Sequence, residues 1–139
     1  ADQPPSVRNT LDRHGMIDMF RVVVLSATVG YNKPDVSIYT EALLQADCEA
    51  EDAVMVGNRY DMDIAPANRL GMGTVFCYLS PDNKGRQPES DEEAAYHMSL
   101  GRVPNWPTEP DPGIPTQQPD AVAGNVAELS TAIKYALGR

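Results

Sequence analysis

Apolar residues fall along this chain in two patterns, unbroken runs and spaced sets, and the two predict different elements. Arg21-Val22-Val23-Val24-Leu25-Ser26 and Ala53-Val54-Met55-Val56-Gly57 are continuous and rich in β-branched residues, as strands buried on both faces are. Gly73 to Leu79 reads as a further strand and Ala121-Val122-Ala123 as a short last one. From Pro34 to Ala46 the apolar positions are Val36, Tyr39, Leu43 and Ala46, the period of an amphipathic helix. Asp61 to Leu70 repeats that period with Ile64, Ala67 and Leu70, and Gly71 ends it. A short helix over Ser6 to His14 follows Pro4 and Pro5, stops at Gly15, and turns Val7 and Leu11 inward. The last helix, Val126 to Leu137, has Asn125 as N-cap with Glu128 three residues on, a capping-box arrangement. Strands alternating with helices at this pace predict an α/β fold, a Rossmann-like three-layer parallel sheet with helices on both faces.

The stretch from Ser80 to Pro119 breaks the pattern. It holds eight of the twelve prolines and the acidic run Asp91-Glu92-Glu93, so ladder pairing and long helices both lack amide donors there. A long surface loop is predicted, with room for one helical turn near Ala94 to Leu100. The chain therefore divides into a core segment over 1–79, an irregular proline-rich acidic loop over 80–119, and a strand and helix of the same domain over 120–139.

Composition narrows the partners. The 139 residues suit a single domain, and the net charge of −9 repels a phosphate backbone. Nucleic acid and anionic membrane surfaces are poor partners for it. The apolar runs fall far short of the ~20 residues that span a bilayer, and no signal peptide opens the sequence. Cys48 and Cys77 lack the spacing of zinc or redox sites and read as reduced core thiols, which points to the cytoplasm.

Ligands of open parallel sheets bind beyond the carboxyl ends of the strands. Two segments bring polar residues to that edge: Ser26 to Asp35, where Lys33 and Pro34 precede a helix, and Gly57 to Ile64, a glycine followed by a polar, acidic turn. A lysine beside carboxylates suits phosphate and magnesium chemistry, the acids holding the cation and the lysine neutralising the anion.

At these residues the chain resembles the haloacid dehalogenase superfamily. Gly30-Tyr31-Asn32-Lys33-Pro34-Asp35-Val36-Ser37-Ile38-Tyr39 is similar to its third signature, usually G-x-x-K-P-D-P-x-I-F. Val56 to Ile64, with Ala67, Gly71, Met72, Thr74 and Val75, resembles the fourth, often V-G-D-x-x-x-x-D-I followed by A and G-M-x-T-V. The resemblance implies magnesium-dependent hydrolysis of a small phosphorylated substrate through an aspartyl-phosphate. Lys33 would bind the transferred group and the nucleophile; Asp63, Asn58 and Asp61 would lie on or near Mg2+.

Three departures qualify the implied activity. No apolar strand followed by D-x-D-x-T occurs, so the nucleophile is missing from this sequence. Ala1 stands where the second signature has its serine or threonine, and Asn58 replaces the first acid of the fourth, so magnesium affinity would be weak. The chain alone is therefore expected to be inactive, as the carboxyl-terminal part of a core incomplete at its amino-terminal side. The rival reading is a non-catalytic binding or assembly module on the same scaffold. In the family the nucleophile and second-signature strands lie between Val22 to Leu25 and Val54 to Val56. Either an upstream segment or a partner chain fills that gap, or those two runs pair directly.

Plainer readings exist for each residue. Lys33 could be a helix-start lysine explained by Pro34 at the first helical position. Asp61 and Asp63 could complement the following helix dipole. Arg59 and Tyr60 read as solvated loop residues, His14 as a helix-end residue and Trp106 as a loop anchor. A phosphoacceptor receiver domain also sets a lysine and acids at a sheet edge, but it needs an acidic pair after its first strand, and none follows Ser26.

Overall fold

A computed structural model describes residues 6–77 and 110–138 of the chain. Helix α1 (Ser6–Arg13) carries Val7 and Leu11 half-buried while its other described side chains face water. Gly15, at φ +64°, takes the left-handed conformation that turns the chain out of it. After the short helix α2 (Ser26–Val29), helix α3 (Val36–Ala46) starts at Asp35, whose carboxylate accepts from the Ser37 amide at 2.8 Å. Pro34 thus lies before the cap and not at the first helical position as the sequence suggested; the Lys33–Pro34 bond is cis.

Strand β1 (Val54–Gly57) leads into a π-helical turn over Tyr60–Ile64, helix α4 (Ala65–Leu70) and strand β2 (Gly73–Cys77). Strand β3 (Ala121–Ala123) and helix α5 (Val126–Leu137) follow. The sheet is parallel, in the order β1-β2-β3, with Val54 opposite Gly73 and Val75 opposite Ala121. Alternation along the strands separates two cores. Val54, Val56, Val75 and Ala123 meet Ala132 and Ala136 of α5, while Met55 packs with Tyr39, Ala67 and Met72 on the face of α3 and α4. Gly73 lets α5 come close, since a β-carbon there would sit 2.8 Å from the Ala136 carbonyl oxygen. The three-layer Rossmann-like architecture expected from the sequence is present.

The start of β3 is fixed by a buried polar network. The Asp120 carboxylate accepts from the Thr74 amide at 2.8 Å, and the Thr74 hydroxyl shares its one proton between Asp120, at 3.1 Å, and the Asn68 side-chain oxygen, at 3.0 Å. The Asn68 amide group in turn donates to the carbonyls of Thr116 and Gln118, at 2.9 and 2.8 Å. Pairing these groups removes the cost of burying Thr74, which is fully buried. Half of the capping box expected at α5 forms: Asn125 accepts from the Glu128 amide at 3.0 Å, while Glu128 accepts from the amide of Gly124, one residue before the N-cap, at 2.8 Å.

Two readings change. Arg21 to Ser26 is no strand: the backbone is extended at Phe20 and Leu25, but residues 21–24 make no backbone hydrogen bond to other described residues, and Ser26 already begins α2. Extended β-branched sequence becomes a ladder only beside a partner edge, and the described residues offer it none. Direct pairing of Val22 to Leu25 with Val54 to Val56 is accordingly absent, and among the described residues no strand pairs with the outer edge of β1. The helix assigned to Asp61 to Leu70 is a π turn followed by α4. Of the proline-rich loop, 110–119 contains a turn and a 3-10 turn over Pro115–Gln117; the helical turn near 94–100, Trp106 and His97 lie outside the described residues.

Candidate active site

Lys33 and Asp63 meet at the carboxyl end of β1. The Lys33 ammonium donates to Asp63 Oδ1, pairing residues from two sequence segments that the fold alone brings together. Asp63 is 3% exposed, and its Oδ2 accepts from the amides of Asn58 and Arg59, both at 3.1 Å. Every charge-bearing oxygen of this buried carboxylate is therefore answered by a donor. Gly57 makes the arrangement possible: a β-carbon at that position would run into the Asp63 side chain. The lysine side chain itself is 37% exposed, so an anion can reach it while Asp63 holds it from below.

Asp61 points elsewhere. Arg59 grips it with two hydrogen bonds, Nε to Oδ1 at 3.0 Å and Nη2 to Oδ2 at 2.5 Å. The guanidinium keeps Asp61 below the ordinary carboxylate range, and the carboxylate raises Arg59 in return. Stability from this pair is present above the usual carboxylate pKa and is lost as pH falls below it, through the lowered value that Asp61 has in the fold. Because the side chains are 27% and 44% exposed, that contribution is small. Asp61→Asn is expected to cost under about 1 kcal/mol at pH 7, a cost that shrinks steadily as the pH is lowered below the ordinary carboxylate range, by urea unfolding across that series.

Tyr60 overturns its reading as a solvated loop residue. It is buried and stacks on Phe76 with ring centroids 4.0 Å apart, closing a small cluster with Ile64 beneath the turn. Arg59 is part-buried and ion-paired rather than freely solvated, whereas His14 is exposed at the end of α1 as expected. Tyr39, placed by its spacing only on the apolar face of a helix, also reaches the site: its hydroxyl donates to the Met62 carbonyl. Burial, and secondarily the charge of Asp63, raises the Tyr39 phenol far above its ordinary range, so it remains a donor throughout the neutral region.

Magnesium wants open anionic oxygens. Asp63 already carries Lys33 and two amides, Asp61 is held by Arg59, and Asn58 offers only a neutral carbonyl. No group of three or more histidine, cysteine, aspartate or glutamate side chains able to hold a metal forms among the described residues. The three expected ligands, Asp63, Asn58 and Asp61, thus fit a magnesium ion poorly by themselves. Among the described residues, two shallow concavities lie away from this site, one beside Glu51, Gly71 and Asp120 and one along β3 and α5.

The paired lysine and buried aspartate at the carboxyl edge of a parallel sheet join the two segments that resemble the third and fourth signatures. The family model for haloacid dehalogenase-like hydrolases matches residues 2–77, and the chain belongs to that family. It is 42% identical over 66 residues to the glyceraldehyde 3-phosphate phosphatase of Methanothermobacter thermautotrophicus, a match over 48% of this chain and 29% of that protein. The structure resembles that of a 2-haloacid dehalogenase from Pseudomonas syringae pv. Tomato DC3000, with a TM-score of 0.57 and 25% identity over 89% of this chain and 41% of the other. It also resembles a HAD phosphatase from Thermococcus onnurineus, with a TM-score of 0.51 and 26% identity over 70% and 46% of the two chains. The chain spans less than half the length of each of these relatives. No helix among the described residues is long and apolar enough to cross a membrane.

Proposed function

We propose that this chain is the carboxyl-terminal part of a phosphatase core, acting on a small phosphorylated substrate, and that Lys33 binds the phosphoryl group. The observation that carries this reading is the Lys33–Asp63 pair, which joins the two signature segments at the edge where parallel sheets bind ligands. Phosphatase relatives favour phosphate esters over haloacids as the substrate class. In this reading Asp63 orients the Lys33 ammonium, and the ammonium neutralises charge on the phosphoryl oxygens as it builds in the transition state. The nucleophilic aspartate comes from a segment, of the same polypeptide or a partner chain, that adds strands beside β1 and pairs with Val22 to Leu25. Phosphoryl transfer to that aspartate and hydrolysis of the aspartyl-phosphate complete the reaction. The division at 79 and 119 is retained: 1–79 carries the site, 80–119 connects, and 120–139 closes the sheet. A cytoplasmic location is proposed from the two cysteines, both free.

The second reading, a binding or assembly module on the same scaffold, draws on the missing D-x-D strand. Restoring a D-x-D segment separates the two, since both readings leave the isolated chain inactive. The isolated chain is expected to show no p-nitrophenyl phosphate hydrolysis with or without magnesium, and calorimetry is expected to give millimolar or undetectable magnesium affinity. Turnover by the pure chain, or sub-micromolar binding, contradicts the proposal. Gain of turnover on adding a D-x-D segment rules out the module.

A further inference from the structure

The turn that carries Asp63 has a backbone defect written into the sequence. In an α-helix the Met62 carbonyl would accept from the amide of residue 66, but that residue is proline and has no N–H. Pro66 is itself almost wholly buried, so water is a poor substitute donor nearby. The ladder widens instead. The amides of Asp63 and Ile64 both donate to the Arg59 carbonyl, at 2.9 and 3.1 Å, and the amide of Ala65 reaches back to Tyr60. Turns of this kind leave carbonyls short of partners. Across the packed face, Tyr39 of α3 is 6% exposed and its hydroxyl donates to that same Met62 carbonyl. The third signature usually ends in phenylalanine, a ring without a donor; here the hydroxyl is present and used.

We propose that Tyr39 is a positioning residue for the acidic turn, its hydroxyl supplying the donor that Pro66 withholds from Met62 and so fixing Asp63 beneath Lys33. Met62 and Asp63 are adjacent. A carbonyl anchored on α3 therefore sets the rotation of the peptide that aims the carboxylate at the Lys33 ammonium and at the amides of Asn58 and Arg59. The same helix follows Lys33 directly, so α3 fixes one partner through its start and the other through Tyr39. The device concerns geometry and needs no turnover to be read, so failure of the phosphatase reading would leave it standing.

Amide hydrogen exchange of the full chain by NMR tests it. In Tyr39→Phe the Asn58 and Arg59 amides are expected to exchange roughly ten-fold faster, while the Thr74 amide, held by Asp120 at the other end of the sheet, changes less than about two-fold. In a Pro66→Ala background, which restores an N–H at position 66, Tyr39→Phe is expected to change the Asn58 and Arg59 rates by less than about two-fold. Unchanged Asn58 and Arg59 rates in Tyr39→Phe overturn the proposal, as does equal acceleration at Thr74, which would mark general loosening. An undiminished effect in the Pro66→Ala background overturns it too. Should Tyr39→Phe fail to fold, a folded Tyr39→Phe, Pro66→Ala double variant supports the proposal and an unfolded one overturns it.

Discussion

Asp63→Ala is expected to destabilise the chain by about 3 kcal/mol, more than any other single change at the site apart from those that alter the core. The carboxylate is 3% exposed and answers three donors, the amides of Asn58 and Arg59 and the Lys33 ammonium. Alanine leaves both amides without an acceptor, at roughly 1 to 3 kcal/mol for each that water cannot reach. The lysine adds less, because its side chain is 37% exposed and recovers water when released. Asp63→Asn separates these effects: its carbonyl oxygen can still accept from the amides, so its loss is expected to be about half. Urea unfolding of both variants gives the comparison. A loss below about 1 kcal/mol for Asp63→Ala would mean that the turn is held mainly by the Tyr60–Phe76 stack and the α4 packing.

The layers of this fold were legible wherever a strand has its neighbour within the chain. Val54 to Gly57, Gly73 to Cys77 and Ala121 to Ala123 carry apolar runs, and each finds a parallel partner. Val22 to Leu25 is as strand-like in composition, yet a ladder belongs to a pair of segments and not to one. The site was legible in part. The two signature segments identify Lys33 and Asp63, and the fold brings them together. Asp61 stands beside Asp63 as a further candidate ligand in the sequence, although residues two apart on a helical turn do not share a face. That rule would have separated the aspartate that meets Lys33 from the one that meets Arg59. Tyr60 was hidden by its polar neighbours, because a widened turn sets the side-chain directions and the period of 3.6 does not apply there. Pro66 was the overlooked signal for Tyr39: a proline one turn beyond a site residue announces a carbonyl that needs another donor.

Lys33→Ala is expected to have the largest effect of all, on catalysis rather than stability. An ammonium held by a buried carboxylate is already oriented when the phosphoryl group arrives, and removing such a charge from the site costs transition-state stabilisation directly. Stability should change little, since the Asp63 carboxylate keeps its two amide donors and the departing side chain is partly solvated. Lys134, exposed near the end of α5, serves as the control. The decisive experiment joins this chain to a segment bearing an apolar strand followed by D-x-D and measures magnesium-dependent hydrolysis of p-nitrophenyl phosphate. The expected result is turnover by the completed protein, a fall in kcat/KM of roughly a thousand-fold or more in Lys33→Ala, and no change in Lys134→Ala. Equal losses in the two variants, or turnover that survives Lys33→Ala, would contradict the placement of the site at the Lys33–Asp63 pair.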